Sequence, residues 1–450
     1  MVIKGSTRSI ILDILMRVFK EGEYSHIVIR ETLDCNMSLS KQDRAFINTV
    51  AEGTIERMIE LDYIIGRYSS VSVSKMKPVI LNILRSAVYQ ILYMDTVNSP
   101  SAVNEAVKLA QIKGFYNLKG FVNGILRKIA ANIDNIPYPD RDDTLKYFSI
   151  RYSMPEWIVR MWLADFGKEV TEKMLQSFLE RKPLTVRLKN SPEIREKTVK
   201  RLENQGITVE KAPYFDCAYY LKNIRTLTGL DVFKDGLVYV QDIGSMIPAI
   251  ISGVKEGDDV IDVCAAPGGK SFHMADIMNN FGMIEARDVS DEKVRLIREN
   301  IDRLGLINIV AVRQDATVYD QNSECKADVL IADVPCSGLG VVGRKPDIKY
   351  RVDEDGIDNL VILQRRILHN CENYVKPGGV LIYSTCTVNR AENEENIKWF
   401  VENYPFELES IDEYLPEELR SETTKNGYIR MLPGVQKSDG FFAARFRRKK

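Results

Sequence analysis

The fold of this 450-residue chain is decided by the stretch VIDVCAAPGGK, which spans residues 260–270. Its apolar start predicts a short buried strand, the two glycines predict a tight turn, and the residues that follow predict a helix. Gly268 and Gly269 allow a ligand to approach the backbone closely, and a helix N-terminus favours a negative group. The spacing matches neither the dinucleotide motif GxGxxG nor the phosphate loop GxxxxGK[ST]. A tight turn that binds no ligand remains the alternative at this point.

The same order of strand, loop and helix recurs from about residue 236 to the end of the chain. Short, β-branched apolar runs occupy residues 260–263, 283–286, 309–312, 329–332 and 380–383, and we expect a helical stretch after each. This alternation predicts a parallel, doubly wound α/β sheet.

Two other zones precede this sheet. Apolar residues at helical spacing predict an all-helical region up to about residue 130, followed by a polar, proline-containing linker at 132–140. Between about 145 and 235, helical stretches alternate with short strands at 184–188, 207–209 and 219–221, which predicts a small α+β module. We therefore divide the chain into domains at residues 1–140, 141–235 and 236–450.

Composition excludes several classes of protein. The 62 Lys and Arg against 63 Asp and Glu give a net charge of −1, which excludes a uniformly basic coat but not a basic patch. Seven scattered cysteines without a CxxC pair, and only 3 histidines, argue against a disulfide framework and against a metal site. No apolar run approaches the roughly 18 residues of a membrane span. We expect a reduced, cytoplasmic protein without metal or membrane attachment.

Three acidic residues follow successive strands of the predicted sheet. Asp288 lies 20 residues after Gly268, the spacing at which an acid meets a ribose diol in nucleotide-binding sheets. Asp315 could accept a hydrogen bond from an adenine amine, and Asp333 ends the fourth strand. Any one of them could be a helix cap or a turn residue, but three in register predict a shared ligand crevice.

Two cysteines follow neighbouring strand ends. Cys336 lies in the sequence Asp333-Val334-Pro335-Cys336-Ser337-Gly338, and Cys386 lies in Ser384-Thr385-Cys386-Thr387. In a parallel sheet both thiols lie over one edge, beside the carboxylates. We interpret Cys35, Cys217, Cys325 and Cys371 as ordinary small core residues. For Cys336 and Cys386 we favour chemistry, because a thiol is partly ionised at neutral pH and strongly nucleophilic.

These motifs together resemble the RNA 5-methylcytosine methyltransferases of the Sun/Nop type, as do the run at 344–349 and the terminal Asp439-Gly440-Phe441-Phe442. The resemblance implies a Rossmann-like S-adenosylmethionine-dependent methyltransferase domain. It implies that Cys386 is the nucleophile, that Cys336 assists product release, and that Asp333 hydrogen-bonds the base near N3. It also implies a cofactor site formed by Cys264, Ala265, Ala266, Pro267, Gly268, Gly269, Lys270, Asp288, Asp315 and Asp333.

The first zone resembles a NusB-like RNA-binding helical domain, through the segments 43–46, 104–110 and 121–127. This domain, followed by an α+β connector of RRM or ferredoxin-like type, is the arrangement of bacterial enzymes that methylate cytosine in 16S ribosomal RNA. The resemblance implies 16S ribosomal RNA as the partner, and we expect a monomer. We expect basic residues of the first two zones to share one face, among them Arg8, Arg17, Lys119, Arg127 and Lys128. Lys345 could contact substrate or an acid, or be a surface charge.

Three alternatives compete with this interpretation. The catalytic motifs fit equally well an enzyme that acts on tRNA or on another ribosomal RNA position. A non-catalytic RNA-binding ribosome assembly factor could keep the same fold, although loss of the cysteines or acids would then be expected. A DNA cytosine methyltransferase would carry its nucleophile in the proline–cysteine motif alone, which the separate Thr385-Cys386 argues against.

Overall fold

The computed structural model describes residues 6–224 and 226–450. The chain forms two units, one running up to Leu179 and including Val342–Arg351, the other comprising Glu180–Val341 and Val352–Lys450. The boundaries at 140/141 and 235/236 remain a prediction. Across the described ranges, no helix has both the length and the apolar composition needed to cross a membrane.

The first unit is all helical, as the sequence predicts. Its central helix α5 is buried on almost every side, including Leu84 and Val88, and it begins at Pro78, where a missing N–H costs nothing. Asn98 caps the next helix by accepting a hydrogen bond from Ser101 N at 2.8 Å. The helices are α1 Thr7–Phe19, α2 Ser25–Cys35, α3 Lys41–Glu56, α4 Met58–Tyr68, α5 Pro78–Tyr93, α6 Ser99–Ile112, α7 Lys119–Ala131, α8 Thr144–Arg151 and α9 Glu156–Phe178.

Residues 342–351 belong to this helical unit although the chain on both sides of them belongs to the other. The side chain of Lys349 is buried, and its Nζ donates to the carbonyl oxygen of Glu56 at 2.7 Å. Asp347 accepts from Ser25 N at 3.2 Å and from Ser25 Oγ at 2.5 Å. Burial lowers the pKa of Lys349 to about 7. The segment is therefore anchored through charged groups that composition alone would assign to the surface.

The second unit starts with a small antiparallel sheet, in strand order β2-β3-β1-β4. Val186 and Leu188 on the central strand point into a core that also holds Leu202 of the flanking helix. The elements are β1 Leu184–Leu188, α10 Pro192–Asn204, β2 Thr208–Lys211, β3 Ala218–Lys222, α11 Asp231–Lys234 and β4 Val238–Val240. This is the predicted α+β connector.

A larger sheet follows, in strand order β10-β12-β9-β8-β5-β6-β7, with β11 paired to β12. Strands β5 to β9 are parallel, which confirms the Rossmann-like α/β prediction. The strands are β5 Asp259–Asp262, β6 Met283–Asp288, β7 Ile309–Arg313, β8 Ala327–Asp333, β9 Val375–Thr385, β10 Phe406–Leu408, β11 Tyr428–Met431 and β12 Phe441–Arg448. The helices are α12 Ile243–Ile251, α13 Gly269–Ile277, α14 Asp291–Leu304, α15 Glu354–Tyr374, α16 Glu394–Asn403 and α17 Glu422–Lys425.

Four details differ from the prediction. Of the four cysteines interpreted as core residues, Cys217 and Cys371 are buried, but Cys35 and Cys325 are exposed. No α-helix follows β7; a short 3₁₀ turn at Gln321–Ser323 lies there, because Asp315 and Asp320 bind nearby backbone N–H groups in local turns. The Lys-Pro-Gly-Gly stretch at 376–379, whose composition is typical of a turn, lies inside β9, where the pairing with β8 shifts register between Ala327 and Val329. The sheet also gains antiparallel strands β10 and β12, which strand–helix alternation could not reveal.

Candidate active site

The turn after β5 needs glycine at position 268. Gly268 has φ +105°, and a Cβ there would lie 2.0 Å from Cζ of Phe272. Ala265 N donates to Arg287 O at 2.7 Å, which ties the turn to strand β6. The predicted loop from Cys264 to Lys270 is thus held at the carboxyl end of the sheet, where open α/β sheets bind ligands.

Asp288 is brought against this turn, as the 20-residue spacing suggests. Its Oδ2 accepts from Ala266 N at 3.1 Å, and its Oδ1 accepts from Val289 N at 2.8 Å and lies 3.1 Å from Lys293 Nζ. Asp315 lies two residues beyond the end of β7 and is exposed, and its Oδ1 accepts from the backbone N and the hydroxyl of Thr317. These bonds lower the pKa of Asp315 and leave its Oδ2 for a ligand.

Asp333 connects the glycine turn to the two central strands. Its Oδ2 lies 2.5 Å from Lys270 Nζ, and its Oδ1 accepts from Ser384 Oγ at 2.7 Å. Asp333 and Ser384 are also paired residues of β8 and β9. The carboxylate therefore stands between the turn and the strand that leads into Cys386.

The two cysteines lie side by side. The Sγ atoms of Cys336 and Cys386 are 3.2 Å apart without a disulfide bond, and both residues are half-buried. The hydrogen bond with Cys386, together with burial, raises the pKa of the Cys336 thiol well above its usual value. Cys336 accordingly stays protonated and can donate its S–H to the neighbouring sulfur.

A buried carboxyl group that we did not single out from the sequence lies at the end of β5, where the glycine turn begins. Asp262, the last residue of β5, accepts from Ser271 Oγ at 2.6 Å through Oδ2. Its Oδ1 is buried and has no hydrogen-bond partner among the described residues. Burial raises the pKa of Asp262 to about 7. An acid that ends a strand immediately before a glycine turn was the available sequence signal.

A second group missed from the sequence surrounds the cysteines. Glu392, Asn393 and Gln364 are fully buried and hydrogen-bond the residues on either side of the thiols. No spacing pattern distinguishes them, because their partners lie up to 55 residues away.

The remaining predicted residues belong to the helical unit. Lys345 is exposed within the 342–351 segment of the helical unit. Arg17 pairs with Glu23 and Glu31, and Arg8 donates to Gln90 at 3.1 Å. Lys119, Arg127 and Lys128 are exposed together on α7, and within the described ranges they form no ion pair. Whether the five residues share a single basic face stays a prediction.

Comparison with known proteins accounts for all three parts of the chain. The family model described as 16S rRNA methyltransferase RsmB/F matches residues 249–447, the NusB family matches 5–131, and a ferredoxin-like domain of RsmF/B-like methyltransferases matches 154–227. The probable ribosomal RNA small subunit methyltransferase B of Bacillus subtilis is 35% identical over 450 residues, covering 99% of both chains. The ribosomal RNA small subunit methyltransferase B of Cronobacter sakazakii is 27% identical over 446 residues, covering 98% of both.

Solved structures agree with the fold. The crystal structure of PH0851 is 25% identical, covers 99% of this chain and 98% of its own, and superposes with a TM-score of 0.81. A methyltransferase homolog protein from Pyrococcus horikoshii is 28% identical with a TM-score of 0.57, covering 68% of this chain and 99% of its own. The Bacillus subtilis relative aligns with this chain almost from end to end, and the RsmB/F family model matches the part that holds the glycine turn and the cysteine pair. The protein therefore belongs to the S-adenosylmethionine-dependent 16S rRNA methyltransferase RsmB/F family.

Proposed function

We propose that this protein forms 5-methylcytosine in 16S ribosomal RNA through a covalent bond between Cys386 and C6 of the base. The observation that carries the proposal is the pair of thiols 3.2 Å apart, which follow the ends of β8 and β9, with Asp333 beside the strand that leads into Cys386. The names of the curated relatives, which are small-subunit ribosomal RNA methyltransferases, support the choice of RNA.

The need for a thiol follows from the chemistry of cytosine. Its C5 is a poor nucleophile, but attack of the Cys386 thiolate on C6 forms an S–C6 bond and turns C5 into an enamine carbon. N3 takes up the proton that the Cys386 thiol loses, and Asp333 stabilises this form of the base by accepting a hydrogen bond from the N3–H. After C5 is methylated, water takes the C5 proton while the S–C6 bond breaks and its electron pair returns to the Cys386 sulfur. Cys336, held as a thiol beside Cys386, assists this elimination by donating a hydrogen bond to the departing thiolate.

The residues at the glycine turn fit S-adenosylmethionine as the methyl donor. This cofactor carries a positive sulfonium and a ribose diol, and the site presents the carboxyl groups of Asp262, Asp288 and Asp333, one of them with an unmatched buried oxygen. The Cys264–Lys270 loop and Asp333 would hold the sulfonium end, Asp288 the ribose, and Asp315 the adenine amine. The cofactor supplies an activated methyl group; the protein supplies its orientation.

The helical unit would bind the RNA. Lys119, Arg127 and Lys128 lie exposed on α7, and Gly120 and Gly124 of the same helix have open space where a Cβ would be. Glycines allow a ligand to approach the helix closely, and exposed cations beside them suit binding to the phosphate groups of RNA. We further propose the domain limits 1–140, 141–235 and 236–450, and a monomeric enzyme.

The two cysteines should fail differently when replaced. Cys386→Ala removes the bond to C6, so we expect neither methylation nor a protein–RNA adduct. Cys336→Ala should attack and methylate, then stall before elimination, and accumulate an adduct that survives denaturing electrophoresis with labelled 16S RNA. Cys371→Ala, a buried cysteine of the same unit, is the control and should turn over normally.

The alternatives give other results. An adduct with Cys386→Ala and none with Cys336→Ala would reverse the roles. Similar, partly destabilised variants without an adduct would mean that both thiols are structural, as in a non-catalytic assembly factor. Bisulfite sequencing of ribosomal RNA and tRNA from a strain that lacks the gene distinguishes 16S RNA from tRNA and from other ribosomal RNA targets.

A further inference from the structure

We propose that Glu392 is a positioning residue that sets the separation of the two thiols by holding the residues that follow each of them. The inference rests on the proposed roles of Cys336 and Cys386 and adds a residue that touches neither substrate nor cofactor. It starts from a buried polar network that lies directly beneath the cysteine pair.

The carboxylate of Glu392 binds the loop of Cys336. Ser337, the next residue in the chain, donates its backbone N–H to Oε1 at 2.8 Å and its hydroxyl to Oε2 at 2.5 Å. Gln364 donates to the same Oε1 at 3.0 Å and also to the carbonyl of Pro335 at 2.9 Å. The position of Cys336 is thus fixed by hydrogen bonds to its two neighbours in the chain, Pro335 and Ser337.

The loop of Cys386 is held by the same short stretch of chain. Ser337 Oγ and Thr387 Oγ1 are 2.8 Å apart, so that the hydroxyl held by Glu392 also contacts the residue after Cys386. Asn393 accepts from Thr385 Oγ1 at 2.6 Å and donates to the carbonyl of Thr387 at 3.0 Å. The dipeptide 392–393 therefore connects both cysteine loops.

Burial makes this network rigid. Glu392, Asn393, Gln364, Thr385 and Thr387 have 0% exposure, so water cannot replace a bond that is lost. A buried carboxylate is costly unless it is fully hydrogen-bonded, and here each oxygen of Glu392 accepts a bond from Ser337. Because neither Ser337 nor Thr387 can move without breaking a buried bond, the 3.2 Å between the two sulfur atoms is set by Glu392.

Two substitutions separate the effect of the length of the Glu392 side chain from the effect of its charge. Glu392→Gln keeps the reach: its amide oxygen can accept from Ser337 N and Gln364, and its NH₂ can donate to Ser337 Oγ, whose hydroxyl hydrogen then becomes available for Thr387 Oγ1. Glu392→Asp keeps the charge but is shorter by one methylene and cannot reach both Ser337 donors. Glu395→Asp, an exposed acid on α16, is the matched control.

The first measurement needs neither RNA nor cofactor. Diamide oxidises a thiol pair to a disulfide: the S–S bond forms while two electrons and two protons pass to the N=N bond, giving the hydrazine. The rate of the Cys336–Cys386 disulfide, followed by peptide mass mapping, reports how the two sulfur atoms are placed. We expect Glu392→Asp to slow it at least about tenfold, and Glu392→Gln and Glu395→Asp to leave it within about threefold of the parent.

The second measurement is turnover on 16S RNA. We expect Glu392→Asp to lose roughly 10²-fold in kcat, with KM for RNA and for S-adenosylmethionine nearly unchanged, and Glu392→Gln to restore most of the rate. Parent-like thiol oxidation in Glu392→Asp, or a Gln variant as impaired as the Asp variant, would overturn the inference. If the parent fails to methylate any RNA while Glu392→Asp still slows disulfide formation, the proposed function fails but the positioning role stands.

Discussion

Replacing Asp288 by Ala should weaken S-adenosylmethionine binding through the loss of ribose contacts. The carboxylate is nearly buried, and its two oxygens already accept backbone bonds at 3.1 and 2.8 Å, so it is fixed in place before any ligand arrives. A hydrogen bond to a charged acceptor contributes about 1.5–3 kcal/mol. This corresponds to a roughly 10- to 150-fold rise in Kd, measurable by isothermal titration calorimetry.

The same substitution removes the acceptor for Ala266 N, so a distorted turn could also weaken binding. Titrating an analogue without the ribose hydroxyls separates the two effects: the parent should bind it about as weakly as Asp288→Ala binds the natural ligand, and the variant should bind both alike. Asp291→Ala, whose carboxylate pairs with Arg313 at the surface, is the control. Equal loss for both ligands in Asp288→Ala would refute the ribose contact, and unchanged affinity would remove Asp288 from the site.

Two further predictions concern the helical unit. Replacing Lys119, Arg127 and Lys128 together by Ala should lower the slope of log Kd against log salt for RNA by roughly 2. The control Lys75→Ala, which removes another exposed lysine of the same unit, should change the slope little. An unchanged slope in the triple variant would exclude these three residues from the contact with RNA. The pKa of Lys349 lies near 7 when folded against 10.5 as the ordinary value, so the unfolded chain binds more protons between these values and stability rises with pH there. In Lys349→Met we expect this rise in stability to be lost, measured as the change in the denaturation midpoint between pH 7 and pH 9. The same change in the variant and in the parent would show that Lys349 is charged when folded.

Much of the fold follows from local pattern, and the misses have two causes. The strands at 260, 283, 309, 329 and 380 were predicted because buried parallel strands are short, apolar and β-branched, which is visible within each segment. The antiparallel β12 pairs with β9, some 60 residues away, and no local pattern carries that pairing. The 3₁₀ turn after β7 was missed because side-chain bonds of Asp315 and Asp320 decide it.

The site divides in the same way. The cysteines, the acids after the strands and the glycine turn were predictable because parallel strands carry their carboxyl ends to one edge, so adjacency follows from topology. Glu392 and Lys349 were not, since each is a charged residue buried against partners distant in sequence: Ser337 for Glu392, Glu56 for Lys349.

The contacts of Lys349 also affect how a deletion of the N-terminal domain would be interpreted. Deleting the first 140 residues would remove Glu56 and Ser25 and uncover the 342–351 segment, which begins six residues after Cys336. Loss of activity in such a deletion would therefore combine weaker RNA binding with the release of a segment that follows Cys336 closely in the sequence. Point substitutions on α7 are needed to measure RNA binding alone.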